Sequence, residues 1–187
     1  NAMIWGDSHA AALSYGLKGH MGELTQITSS ACPPLKDYKK SSRPHCFDIN
    51  NYALEKIEAL QPEAIFLHAN WIAYTIQPDI ARLLSNTIIS IGQSSPNSRI
   101  VLVGGVPQWD PSLPAQLIKN GIRLEDMSLL GSKRYLEISN QDAILKGVAQ
   151  TNHIDFVSIL DLFCENGDCL SSVKAQDEYE PFAWDSC

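Results

Sequence analysis

Four consecutive residues, Gly6-Asp7-Ser8-His9, put a carboxylate, a hydroxyl and an imidazole side by side where the apolar run Met3 to Gly6 gives way to an Ala-rich helical segment. A serine opening a helix sits beside backbone N–H groups that have no intrahelical partner, at the positive end of the helix dipole. Such donors can stabilise the oxyanion that forms when a hydroxyl attacks an ester carbonyl. The alternative is that Asp7 or Ser8 is an ordinary helix cap, and position alone leaves both readings open. His9 neighbours the serine but points elsewhere, which suits a structural or substrate contact better than a base. His68 stands two residues before Asn70 on one strand, hence on the same face, as a core or near-site histidine. His20, His45 and His153 fall in turns or at element ends and join no constellation.

These groups need a sheet to position them, and the chain alternates short apolar runs with helical stretches, the pattern of a parallel sheet covered on both faces. Strands are predicted at Met3 to Gly6, Leu24 to Thr28, Ala64 to Asn70, Ile100 to Val103 and Ile154 to Leu160. The third delivers Asn70 to its carboxyl end. Helices are predicted from His9 to Lys18, from Asp48 to Leu60 with Asp48 or Asn50 as cap, from Pro78 to Ile91, and from a Ser139 cap to about Thr151. Residues 29–46 form a long Ser-, Pro- and Lys-rich loop, a length that in compact domains goes with function or with stapling. Residues 107–134, broken by Pro107, Pro111 and Pro114, read as an insertion with one or two short helices.

Composition bounds the function. The 187 residues are 44% hydrophobic and 19% charged, enough apolar material for a core and too few charges for disorder. The net charge of −7 and the acidic pI of 5.1 argue against a nucleic-acid partner, which demands clustered Lys and Arg. Lys36, Lys39, Lys40 and Arg43 make the only local basic cluster, either a solvated loop or a contact for an anionic glycan or lipid head group. No apolar run approaches the roughly 18 residues of a membrane span. Asn1-Ala2 before Met3 reads as a cleaved tag, so one domain is expected over 3–187, with its natural flanks not visible.

Cys32 with Cys46, and Cys164 with Cys169, form two sequence-local pairs, and Cys187 is odd. Two short disulfides are expected, the first closing a loop for about 3 kcal/mol of stabilisation. Zinc ligation with His45, or reduced thiols, are the competing readings; there is no Cys-x-x-Cys pair, and no metal is claimed. Disulfides favour the periplasm or cell exterior.

Gly6-Asp7-Ser8 after an N-terminal strand resembles the first motif of the GDSL, or SGNH, hydrolase superfamily. Gly-Asp-Ser-His-Ala followed by Ser30-Ala31-Cys32-Pro33-Pro34 resembles the SGNH domain attached to bacterial membrane acyltransferases that O-acetylate surface polysaccharides, and coverage is nearly the whole chain. The resemblance implies a three-layer α/β/α sandwich with a mainly parallel five-stranded sheet (SGNH/flavodoxin-like) and a final helix beyond the residues given. It implies Ser8 as nucleophile and Asn70 as a side-chain donor to the oxyanion, joined by the Ser8 N–H. The family's second motif normally supplies a glycine N–H; no glycine stands here, and Ser30 or Ala31 would serve, since any non-proline residue carries that donor. Asp185 matches the aspartate of an Asp-x-x-His motif whose histidine would follow Cys187, so residues 1–187 alone are expected to be inactive. Trp71 and Trp184, beside matched motifs, are candidates to stack on sugar rings or acyl chains. Acyl transfer from a donor to a glycan acceptor, beside a membrane domain on the same native chain, is the function implied. A carbohydrate esterase or deacetylase is the alternative, and a non-catalytic glycan-binding domain the alternative of another class. No cofactor is implied.

Overall fold

The structure, a computed structural model, describes residues 1–74, 79–175 and 177–183. In chain order these form β1 (Ala2–Gly6), α1 (Ser8–Lys18), β2 (Leu24–Thr28), α2 (His45–Leu60), β3 (Ala64–His68), a 3-10 turn (Trp71–Tyr74), α3 (Ile80–Ser94) and β4 (Arg99–Val103). There follow α4 (Leu113–Asn120), β5 (Leu129–Gly131), α5 (Tyr135–Thr151), β6 (Asp155–Val157) and α6 (Ile159–Phe163), then the short strands β7 (Cys164–Glu165), β8 (Asp168–Leu170), β9 (Ser172–Ala175) and β10 (Glu178–Pro181). Two compact units result, one of residues 1–105 and 141–157, the other of residues 106–140 and 158–187.

The first unit is an α/β layer structure around five parallel strands in the order β2-β1-β3-β4-β6. Strand order reverses between β1 and β3, so right-handed crossovers put α1 on one face and α2 and α3 on the other. Alternation along the strands follows. Met3 and Trp5 of β1, Ile65 and Leu67 of β3, and Ile100 and Leu102 of β4 join one buried cluster with Ala53 and Ile57 of α2, Leu84, Ile88 and Ile91 of α3, and Leu145 and Val148 of α5. β1, flanked on both sides, is buried along its whole length. No helix among the described residues is long and apolar enough to cross a membrane.

Helix α2 starts three residues earlier than expected, at His45 with Pro44 as N-cap, and neither Asp48 nor Asn50 caps it. Asn50 is instead fully buried in the second turn of the helix. Its side-chain oxygen accepts the Trp5 indole N–H (3.0 Å), and its amide donates to the carbonyls of Pro33 (3.1 Å) and Leu35 (2.7 Å). One side chain thereby satisfies a buried donor of β1 and two carbonyls of the long loop, groups that would each cost about 1–3 kcal/mol if left unpaired.

In the second unit residues 107–134 hold the expected short helices, α4 and a 3-10 turn at Leu124–Asp126, and in addition the strand β5, which was not expected. β5 pairs antiparallel with β8, and β8 with β7. The β7–β8 hairpin turns on Asn166-Gly167, both at positive φ, the pairing that two-residue hairpin loops favour. Its Cys164–Cys169 disulfide, and Cys32–Cys46 in the first unit, are both formed as expected. Trp109, Leu113, Leu117 and Cys169 form a separate small core with Phe182 packed against it. Strand β6 is shorter than predicted because Ser158 caps α6, accepting from the Asp161 N–H at 3.1 Å. Helix α5 begins at Tyr135, ahead of the expected Ser139 cap.

Candidate active site

The corner between β1 and α1 is built by close approach. Gly6 lies opposite His68 in the β1–β3 register, and a Cβ on Gly6 would stand 1.7 Å from the His68 carbonyl oxygen and 2.8 Å from the Ala10 Cβ. Asp7, next in the chain, is buried and caps α1, its Oδ1 accepting the His9 N–H at 2.9 Å. The other carboxylate oxygen accepts the Asn70 N–H at 3.0 Å and the Tyr74 hydroxyl at 2.7 Å. Burial first, and then the adjacent Asp7 carboxylate, push the Tyr74 hydroxyl far above the usual tyrosine range, so it remains a donor. The cap and the serine are therefore separate residues. Asp7 does the capping, and Ser8, first residue of α1, is exposed with a side chain that hydrogen-bonds none of the described residues.

Two neighbouring strands bring the remaining groups to the same sheet edge. The Ser29 N–H donates to the Gly6 carbonyl (3.1 Å), extending the β1–β2 pairing by one residue before the loop departs. Ser30 is exposed and Ala31 half-buried, and neither backbone N–H donates to a described residue. Ala31 holds φ 57°, the left-handed region that a glycine enters freely and alanine does not, and Cys32 beside it is anchored through its disulfide to the start of α2. Asn70 is half-buried and follows β3 directly, tied to the serine corner through Asp7.

Trp71 corrects an expectation. It is fully buried, with its indole N–H donating to the Val103 carbonyl at 2.8 Å, so its ring offers no face to a ligand. His68 shares that carbonyl through Nδ1 at 3.3 Å. Burial pushes the His68 imidazole down to about 4 against the raising effect of the Val103 contact; nearby His9 lowers it further and Asp7 raises it. His68 is therefore a neutral brace between β3 and β4. The His9 ring is half-buried and meets His68 edge-on, with centroids 6.2 Å apart. Asp185 and Trp184 lie outside the described residues.

Sequence reasoning missed Tyr74, the bridging role of Asp7, and Asp142. The last is a buried carboxylate of α5 whose Oδ1 accepts the Gly105 N–H at 2.8 Å; a Cβ on Gly104 would stand 2.6 Å from both of its oxygens. The double glycine at the end of β4 is the signal that could have announced such an approach. Cys32, His45 and Cys46 present ligand atoms within 4.8 Å of one another, but both sulfurs are joined in the disulfide and offer no thiolate.

A parallel sheet of this order, with a serine opening the first helix at its switch point, defines an α/β/α fold of the SGNH hydrolase-like class. The chain belongs to the SGNH domain family, in the group described as "SGNH domain (fused to AT3 domains)", whose model matches residues 1–186. Among solved structures it is similar to the periplasmic domain of a lipopolysaccharide acetyltransferase from Salmonella ser. Paratyphi A, at 26% identity and TM-score 0.72, covering 95% of this chain and 73% of that one. It is also matched by Est24, a carbohydrate acetylesterase from Sinorhizobium meliloti, at 14% identity and TM-score 0.49, over 90% of this chain and 88% of that one. Comparison with curated proteins gives no match.

Proposed function

We propose that this chain transfers an acetyl or similar small acyl group to a cell-envelope polysaccharide through an acyl-enzyme on Ser8. The observation that carries the reading is the Asp7 carboxylate, which holds the Ser8 corner and the Asn70 backbone together at 3.0 Å, while Ser30 and Ala31, whose N–H groups donate to no described residue, follow the Ser29 N–H that meets the Gly6 carbonyl. The Ser8 Oγ attacks the donor's acyl carbonyl carbon and its proton passes to a histidine base. The carbonyl oxygen becomes an oxyanion, received by the Ser8 N–H, the Asn70 carboxamide and an N–H of the Ser30–Ala31 turn. The left-handed backbone of Ala31 favours that residue as the donor standing where the family carries glycine. Collapse expels the donor's leaving group with the proton; a sugar hydroxyl, giving its own proton to the same base, then attacks the acyl-serine, and the base returns that proton to the departing Ser8 Oγ. Asp185, the residue that matches the aspartate of the family's Asp-x-x-His motif, would orient that imidazole. The two disulfides and the family's fusion to AT3 domains support a periplasmic or extracellular site of action beside a membrane domain on the same native chain, which would supply the acyl group.

The test uses the full native chain, assayed with p-nitrophenyl acetate with and without a glycan acceptor. Ser8→Ala should lower turnover by about 10⁴-fold or more. Acceptor-stimulated turnover with acetylated sugar as product supports transfer, whereas turnover indifferent to acceptor, releasing acetate alone, identifies an esterase. Full activity after Ser8→Ala would remove the nucleophile assignment.

A further inference from the structure

The loop of residues 29–44 leaves the carboxyl end of β2 and enters the N-terminus of α2, so it runs along the sheet edge from which Ser8 and Asn70 also emerge. It is braced at several points. Besides the disulfide and the two bonds from Asn50, the Lys36 N–H donates to Thr87 Oγ1 at 2.8 Å, and Leu35 and Tyr38 are buried. The Tyr38 ring meets Tyr74 edge-on at 6.1 Å, and Tyr74 in turn holds Asp7. Of the four cations read as one cluster, Lys36 stands apart, its Nζ donating to Ser90 Oγ at 3.0 Å. Lys39 and Lys40, with Ser41 and Pro44 of the braced loop and Phe47 of the first turn of α2, line a concavity of about 390 Å³. Lys39 Nζ lies 4.9 Å above the Phe47 ring. Among the described residues no carboxylate lines this concavity, and none pairs with Lys39, Lys40 or Arg43. In a chain of net charge −7 such a site attracts an anion by contrast with its surroundings.

We propose that this concavity is a subsite for an acidic polysaccharide, with Lys39 and Lys40 receiving the anionic group of one sugar unit. Pro44 and Phe47 supply an apolar floor for its ring. The inference rests on the reading of Ser8 as the group that acylates a glycan, and it names the acceptor class, a polymer bearing uronate or comparable acidic sugars. The concave form and the half-buried Phe47 beneath Lys39 favour a ligand that enters over a lipid surface, whose binding calls for protruding aromatic and aliphatic side chains.

Binding is measured on the full native chain carrying Ser8→Ala, so that it does not depend on the chemistry of that serine and either idea can fail alone. Polygalacturonate is the probe, neutral dextran the control polymer, and phosphatidylglycerol-containing vesicles the lipid arm. Salt-sensitive binding to polygalacturonate and not to dextran is expected. Lys39→Gln with Lys40→Gln should weaken it about tenfold, and the paired change of Lys119 and Lys146, exposed lysines elsewhere, should leave it within about twofold. Should the first pair fail to fold by circular dichroism, Lys40→Gln alone carries the test, with a loss of about threefold expected. No binding to polygalacturonate, equal loss in both lysine pairs, or binding to the anionic vesicles alone would overturn the proposal.

Discussion

Two corners of the central sheet use the same parts in opposite ways. At the end of β1 and at the end of β4 a glycine lacks a Cβ, and a buried carboxylate accepts backbone N–H groups nearby. At the first corner the carboxylate, Asp7, is the next residue in the chain, and what crowds Gly6 is the backbone carbonyl of His68. At the second the carboxylate, Asp142, arrives from α5 and is itself what crowds Gly104. The first arrangement is fixed by main chain on both sides and has nowhere to move. The second depends on one side chain, which can be exchanged.

The sharpest way to break this contrast is to add a methyl group at each glycine. Gly6→Ala must displace paired main chain and should cost more than about 4 kcal/mol in urea unfolding, or prevent folding altogether. A cost below about 1 kcal/mol would show that the β1 corner yields. Asp7→Ala should come next, near 4 kcal/mol, because it strands the Asn70 N–H and the Tyr74 hydroxyl and removes the cap from α1. Gly104→Ala should cost about 2–3 kcal/mol and, unlike Gly6→Ala, should be partly relieved by a partner change. A double-mutant cycle with Asp142→Ala should return a coupling of about 1 kcal/mol or more in the relieving direction, and strict additivity would refute the assignment of Asp142 as the obstacle.

The smallest expected effect concerns His68, which lies between the corners with its ring on the Val103 carbonyl. The folded protein binds this proton only near pH 4, whereas the unfolded chain binds it near the ordinary 6.5. Stability from the neutral, buried imidazole is thus complete above the unfolded value and is lost as pH falls toward the folded one. From pH 7.5 to 5 the loss should reach about 2 kcal/mol, read as the difference in pH dependence between the parent and His68→Gln. Parallel pH profiles would remove the histidine from the account.

The contrast between corners also explains what was legible in the sequence. Gly6-Asp7-Ser8 could be read because glycine, carboxylate and hydroxyl are contiguous, and both disulfides because their partners are close along the chain. Asp142 could not, since its partner Gly105 belongs to another element, and helical position says nothing about which carboxylate turns inward. Asn50 lies near the apolar period's start, a place that suits a cap, but the helix reaches back to His45, which places Asn50 inside the core. Trp71 followed Asn70 closely enough to invite a shared role, yet the 3-10 turn sends its indole inward to Val103. The antiparallel strands of the second unit escaped notice because Leu129–Gly131 is three residues long and finds its partner only at Asp168–Leu170.

β1 comes first along the chain among the strands of the central sheet and lies between the two made next, β2 and β3. A polypeptide that emerges N-terminus first therefore carries its serine long before anything can hold it in place. Until Asn70 and Tyr74 have followed, the Asp7 carboxylate can secure only the helix it begins, so the order of synthesis postpones assembly of the Ser8 corner until Tyr74 has appeared.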